Sequence, residues 1–361
     1  MKDKSINLLN FVGLGIFEPV VRLASGEEVK KNLSQLMKSI VFPILSILLF
    51  LLLWHVGANA LYNTEKEFKI ESARESGGEA AVKRELARID SGESSINSLP
   101  SPIAVVGAFK TLIADHKEIS AKKSAFLEKT AAMNEKREAQ GLAPITYTGR
   151  PSFIDQVLTS LKTVFAGFFL ALFLAVPIGM ILGLSESLRA SFNWLIQIFK
   201  PVSPVVWFLL VYMIVKSLTL TYDGDVSFII SFIAVGLCAM WATLVNTTLG
   251  VSSVDQDYIN VAKVLNLSVG QKVFKIVLPS AFPLIFTGLR ITVSVAWMVL
   301  IAIELLSQSP GLGTFVWEEF QNGANDSNAK IIAAMFVIGI IGFLLDRLMF
   351  SVQKLMTFTE A

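Results

Sequence analysis

Few residues in this chain are of the types and spacings that perform catalysis. The two histidines, His55 and His116, are far apart, and neither a Gly-x-Ser-x-Gly nor a His-Glu-x-x-His motif occurs. The Gly-x-x-x-x-Gly-Lys-Ser/Thr loop that cradles nucleotide phosphates is also missing. The single cysteine, Cys238, lies in an apolar run and offers neither a disulfide nor a cysteine metal site. We therefore predict that the chain is not an enzyme and has no catalytic residue, metal site or cofactor of its own.

Recognition of a protein surface is the chemistry that residues 255–279 indicate, because this polar segment lies between two long apolar runs. From Tyr258 to Leu265 apolar residues recur at helical spacing, whereas Asn260 and Lys263 face away from them. The pattern predicts a short amphipathic helix that is too polar to enter a bilayer.

A second short helix is predicted after a turn. Asn266 stands where a helix commonly ends with a left-handed residue. Ser268 is placed to cap a helix that runs through Phe274 and that we expect Pro279 to stop. Two short helices joined by a turn form a compact docking surface, which we call the knob (residues 255–279).

The elements that must position the knob are membrane-spanning helices. The chain is 53% hydrophobic, whereas roughly 45–50% is usual for soluble proteins. Apolar runs of about 20 residues, the length that crosses a bilayer, predict six spans. They lie near 39–60, 154–184, 193–216, 226–250, 280–306 and 330–352. These spans lead us to expect membrane lipid as a partner. Basic and acidic residues nearly cancel, with 31 against 29, so the net charge says little about partners, and we expect no nucleic acid among them.

The placement of charges predicts the orientation. Lysines precede the first apolar run and follow the fourth, whereas acidic residues occupy the opposite loops near 223–225 and 318–326. Positively charged loops stay in the cytoplasm, so we expect a multi-pass membrane protein with both termini and the knob in the cytoplasm.

These observations divide the chain into five segments. The first is a cytoplasmic N-terminal segment in which residues 6–23 form either an interfacial helix or a partly ordered tail. The long polar region after the first span is an extracytoplasmic insertion with solvated helices at 64–90 and 117–140. The predicted boundaries are 1–38 for the N-terminal segment, 39–60 for the first span, 61–153 for the insertion, 154–352 for a five-helix core and 353–361 for the tail.

The knob resembles the signature loop of bacterial ABC importer permeases, which reads Glu-Ala-Ala, three residues, Gly, nine residues and Ile-x-Leu-Pro. Asn260–Ala262 takes the first three places, Asn266 the glycine place, and Ile276, Leu278 and Pro279 the end, all in register. Asn-Val-Ala in place of Glu-Ala-Ala is similar to the nitrate and bicarbonate branch of the nitrate/sulfonate/bicarbonate/taurine permeases.

The resemblance extends from about Leu99 to Leu355, apart from an insertion at about 115–150. Further segments that fall in the family's order are Leu99–Pro102, 160–168, 177–185, Lys200–Pro204, Asn246–Thr248, Thr287–Ile291, 311–313 and Leu345–Arg347.

This resemblance implies an all-α integral protein of the bacterial inner membrane with the six-span type I ABC importer permease fold and a helical extracytoplasmic insertion. It also implies cytoplasmic ATPase subunits that use ATP and Mg, a second, identical permease copy, and an extracytoplasmic substrate-binding protein. The knob residues it assigns to ATPase coupling are Tyr258, Asn260, Val261, Ala262, Lys263, Leu265, Asn266, Phe274, Ile276, Leu278 and Pro279.

Polar and aromatic residues within the spans are candidates for a translocation pathway, because a weakly held anion needs hydrogen-bond donors that do not trap it. Each of them has helix packing as its alternative role. The candidates are Trp241, Thr243, Asn246, Thr292, Ser294 and Trp297.

Prolines and ionisable residues in the spans also carry expectations. Pro201 and Pro204 should break or kink the third span. Burying a charge in a membrane is costly. We therefore expect Arg290 to pair with a loop group or reach the interface, with attraction of the anion as the alternative. For Glu304 we expect a structural hydrogen bond or ion pair, with a substrate or gate role as the alternative.

The resemblance ranks nitrate first as substrate, bicarbonate or cyanate second, and sulfonates or taurine third. A passive anion channel and a structural scaffold are the alternatives of other classes. Neither requires a docking loop in register with that of the importers.

Overall fold

The computed structural model describes residues 17–26, 29–91, 94, 96, 99–219, 225–324 and 326–356. Every regular element within these ranges is a helix. The first two are short, α1 (Glu18–Ala24) and α2 (Val29–Leu36), and a π-helical turn (Met37–Val41) joins α2 to α3 (Phe42–Asp90). Residues 6–16 of the predicted interfacial helix lie outside the described residues.

The remaining helices include most of the apolar runs. They are α4 (Pro102–Ala139), α5 (Phe153–Leu184), α6 (Glu186–Phe199), α7 (Pro204–Leu218), α8 (Ser227–Ser252), α9 (Gln256–Val264), α10 (Val269–Lys272), α11 (Leu278–Ser307), α12 (Leu312–Asn322) and α13 (Ser327–Met356).

Five continuous helical stretches are long and apolar enough to cross a membrane, and α6 with α7 provides a sixth span if the bent pair is counted as one. The two members of that pair meet at an angle of 100°. Pro204 opens α7, where its missing N–H costs nothing, and the hydroxyl of Ser203 accepts the N–H of Val205 at 3.4 Å. The expected break in the third span is therefore confirmed.

The chain divides into two compact units. The core unit comprises the described residues of Met1–Phe42, Ser160–Ser309 and Gly339–Ala361, and the insertion unit comprises those of Pro43–Thr159 and Pro310–Ile338.

In the insertion unit, the two predicted helices differ from the expectation. The helix expected at 64–90 is continuous with the first span as far as Ser76 and is interrupted at Gly77 and Gly78, whose backbone angles are not helical. The helix expected at 117–140 begins already at Pro102, because Ser101 caps it by accepting the N–H of Ala104 at 3.3 Å. A proline in the first turn is compatible with a helix, so the earlier start is physically favourable.

In the core unit, α8 and α11 approach each other closely because small residues lie between them. A methyl group added at Gly288 of α11 would lie 2.8 Å from Cβ of Asn246 and 2.9 Å from Cα of Thr243 on α8. Gly183 of α5 makes a similar approach to α8, where a methyl group would lie 2.5 Å from Cβ of Val251. Three of the spans are thus held together by backbone proximity.

Replacing Gly288 with alanine should force α8 and α11 apart, and we expect the protein to lose about 1–3 kcal/mol of stability, as in other overpacked cores. Thermal unfolding of the detergent-solubilised protein measures the loss. Gly339→Ala is the matched control, because no atom lies within 4 Å of the added methyl group. Equal unfolding temperatures for the two variants would contradict the close approach.

Candidate functional site

The knob begins with α9, whose first turn is capped by Asp255. The carboxylate of this residue accepts the N–H of Asp257 at 2.9 Å. Asn266 ends the helical turn with a φ of +48°, which confirms the left-handed residue expected there.

The second half of the knob starts with a reciprocal cap. The hydroxyl of Ser268 accepts the N–H of Gln271 at 3.4 Å, and the side-chain oxygen of Gln271 accepts the N–H of Ser268 at 3.0 Å. The expected cap at Ser268 is therefore confirmed.

The prediction that Pro279 stops this helix is wrong. A π-helical turn (Val273–Val277) connects α10 to α11, and Val269–Ser307 is one helical stretch of 39 residues. Pro279 lies in the first turn of α11, and the preceding N–H of Leu278 bonds to the carbonyl of Val273. In the wide π turn, each backbone N–H bonds to the carbonyl five residues earlier instead of four. Pro279 therefore does not have to break a regular α-helical hydrogen bond at this point.

The knob presents apolar side chains to its surroundings. Tyr258, Val261, Leu265 and Phe274 are exposed by 58%, 52%, 63% and 69%. Asn260, Lys263, Asn266 and Pro279 are also exposed, Ile276 and Leu278 are half-buried, and Ala262 is buried at 2%. Val264 and Val269, which the sequence analysis did not select, are exposed by 81% and 79%. A concentration of large exposed apolar side chains on one short segment is typical of a site of interaction.

Two of the predicted pathway residues hold α8 and α11 together. The hydroxyl groups of Thr243 and Thr292 are 2.7 Å apart, and both side chains are fully buried. Thr292 Oγ1 also accepts the N–H of Thr243 at 3.2 Å and donates to the carbonyl of Ala239 at 3.1 Å. This hydroxyl therefore inserts into one rung of the α8 hydrogen-bond ladder, which is a packing role.

The other four pathway candidates have different surroundings. Asn246 donates its amide to the carbonyl of Ala242 within α8, at 2.8 Å. Trp241 and Trp297 are buried at 8% and 5%, whereas Ser294 is exposed. Of the six candidates, Ser294 alone is exposed, and the other five are buried or half-buried.

Trp241 belongs to an aromatic cluster that the sequence did not reveal. Its ring stacks on Phe199 with centroids 6.2 Å apart, and Trp207 lies 6.1 Å away. The cluster joins the ends of α6 and α7 to α8, beside the 100° break. Phe199 and Trp207 lie close together because the chain bends sharply between α6 and α7. Their spacing in the sequence could therefore not indicate the aromatic cluster.

Ionisable residues of the spans have partners on other helices. Arg290 of α11 forms a two-pronged ion pair with Asp346 of α13, so the expectation of a loop partner for Arg290 is wrong. Glu304 is fully buried and accepts the hydroxyl of Ser160 at 2.7 Å, in agreement with the expected structural hydrogen bond. Among the residues that the structure describes, no three metal-ligating side chains are grouped as a metal site requires.

The apolar helical spans, the broken third span and the knob before α11 define a membrane permease of the type I ABC importer class. The fold is that of a chain in the inward-facing MetNI methionine ABC transporter, with a TM-score of 0.50 at 15% identity over 57% of this chain and 96% of that one. At this identity the likeness shows the fold alone.

The chain belongs to the family of binding-protein-dependent transport system inner membrane components, whose profile matches residues 175–357. It is 35% identical to the nitrate import permease protein NrtB of Synechococcus elongatus, over 56% of this chain and 69% of that protein. It is 37% identical to the bicarbonate transport system permease protein CmpB of Synechocystis, over 55% and 68%. Identity to the taurine transport system permease protein TauC of Escherichia coli is 31%, over 59% and 75%.

The roles of the threonine pair can be tested by removing one hydroxyl. Thr292→Val should lower stability by about 1–2 kcal/mol, because the N–H of Thr243 and the carbonyl of Ala239 lose the hydroxyl group that bonds to both. Thr292→Ser keeps the hydroxyl and should restore most of the loss, and the exposed Ser294→Ala serves as control. Thermal unfolding in detergent is the measurement, and a valine variant as stable as the wild type would refute the packing role.

Proposed function

We propose that this chain is the permease subunit of an ATP-driven importer for a small oxyanion, with nitrate first and bicarbonate second. The observation that carries the proposal is the exposed apolar knob, built as an extension of a membrane-spanning helix in a chain of this family. The anion is inferred from relatives, since proteins 35% and 37% identical to this chain are named for nitrate and bicarbonate. Cyanate shares second place with bicarbonate, and sulfonates and taurine rank third.

Cytoplasmic ATPase subunits are the proposed partners of the knob. The chain lacks a phosphate-binding loop, so ATP and Mg would be bound by those subunits. Tyr258, Val261, Leu265 and Phe274 would supply most of the docking energy through burial, while Asn260 and Lys263 orient the contact. A second, identical permease copy and an extracytoplasmic binding protein would complete the importer, with both termini in the cytoplasm.

Transmission of motion follows from the continuity of the knob with α11. Because Val269–Ser307 is one helical stretch, displacement of the knob by the ATPases would move α11 with it. The buried Ala262 and Val277, at 2% and 1% exposure, anchor the two halves of the knob. ATPases that bind one arrangement of the knob better than the other would drive alternating access.

Loss of the docking surface should uncouple the importer. Placing aspartate at Leu265 and Phe274 removes apolar burial of about 1.5–3 kcal/mol per residue, which weakens ATPase binding about tenfold or more at each position. Copurification from membranes and ATP-dependent anion uptake are measured together. Phe68→Asp, in the insertion unit, is the matched control, because Phe68 is exposed by 72%.

The same experiment separates the importer from a passive channel. If no ATPase copurifies with the wild type, and anion flux persists in the Leu265→Asp and Phe274→Asp variants, the channel is the better description.

Substrate choice is tested by uptake into vesicles that contain the complete importer with its binding protein. We expect competition between nitrate and bicarbonate and little competition by taurine, because the first two are trigonal planar oxyanions. Uptake of taurine without nitrate uptake would overturn the ranking.

A further inference from the structure

A groove of about 480 Å³ runs between α11 and α13 in the core unit. Its polar lining consists of Thr287, Arg290, Ser294, Asp346 and Gln353, and its apolar lining includes Met298. Met298 is 70% exposed and Ser294 is also exposed, so this face of α11 is open along several turns.

The charged pair in the groove has a two-pronged geometry. Arg290 Nε lies 2.5 Å from one carboxylate oxygen of Asp346, and Nη2 lies 2.7 Å from the other. The two side chains remain 37% and 28% exposed, so the pair borders the groove and is not sealed in the core. An incoming solute could therefore reach the guanidinium group.

The charges of the pair argue that the groove does not face lipid. Arg290 lies 12 residues after Leu278, the start of α11, and 17 residues before Ser307, its end. Charged groups within a membrane-spanning helix face a bundle interior or a water-filled cavity, because exposure to lipid is costly. The open side of the groove is therefore suited to an aqueous path.

Arg290 has a second contact that would hold it in place without Asp346. Its guanidinium group lies 5.3 Å from the ring centroid of Phe350, within the range of a cation–π interaction. The fork can thus exchange one planar partner for another without losing its position.

We propose that Arg290 recognises the transported anion and that the carboxylate of Asp346 is an internal substitute for it. A guanidinium fork binds two oxygens held by one trigonal centre, and a carboxylate, nitrate and bicarbonate all present that arrangement. A trigonal oxyanion in the groove would displace Asp346 from Arg290 and be released when Asp346 returns. Such competition keeps binding weak enough for passage. This inference rests on the function proposed above.

The test is anion uptake by the complete importer in vesicles of phosphatidylcholine, with nitrate as the probe at saturating ATP. Asp346→Asn removes the competitor, so KM for nitrate should fall several-fold and the maximal rate should fall with it, because release is slowed. Arg290→Lys keeps the charge but loses the fork, and should raise KM about tenfold, the value of one charge-assisted hydrogen bond. Arg189→Gln is the control, since Arg189 lies in α6 and does not line the groove.

A merely structural ion pair is distinguished by the double variant Arg290→Asp with Asp346→Arg. This exchange keeps a pair between α11 and α13 but moves the fork to the other helix. We expect the double variant to assemble with the ATPase and to remain deficient in nitrate uptake. Recovery of wild-type KM and rate would overturn the inference, as would an unchanged KM in Asp346→Asn.

An anionic lipid headgroup could supply similar chemistry, so uptake is repeated with phosphatidylglycerol added to the vesicles. A KM unaffected by the lipid supports the transported anion as the ligand, whereas nitrate uptake that phosphatidylglycerol inhibits in the wild type but not in Arg290→Lys would assign the groove to lipid. Failure of the proposed function has a different signature, since the wild-type importer would then take up neither nitrate nor bicarbonate.

Discussion

The close contact between α8 and α11 is the interaction on which the rest of the core unit depends. It places the backbone of Gly288 against Thr243 and seats the hydroxyl of Thr292 in the hydrogen-bond ladder of α8. Lipid tails provide no hydrophobic drive for helices to associate, so association must come from such proximity and from hydrogen bonds between helices. With α11 fixed on this side, its opposite face is left to border the groove.

Polar side chains in the spans therefore divide into two kinds. Thr243, Thr292 and Glu304 are buried and bonded across helices, and they stabilise the bundle. Arg290 and Asp346 satisfy each other but remain partly exposed. The two kinds differ in how far their side chains are exposed. That exposure depends on the packing of three or more helices and not on residue type.

Much of the fold was predictable, because its signals are local. Hydropathy revealed the spans, Pro201 and Pro204 the broken third span, and Asn266 and Ser268 the internal turn of the knob. The continuation through Pro279 was missed because a π turn has no comparable sequence signature. The partner of Arg290 was missed because Asp346 lies 56 positions away on another helix, and only packing brings the two together.

The π turn at Val273–Val277 has a geometric consequence for the orientation of the knob. A π turn is equivalent to one extra residue in an α-helix, and each residue rotates the chain by about 100° around the helix axis. The direction in which Phe274 and the rest of the knob point is therefore set by this single wide turn. Relaxation of the turn to regular α-helical geometry would rotate the docking face by about 100° relative to the faces of α11, so this one wide turn sets the angle at which motion of the knob reaches α11.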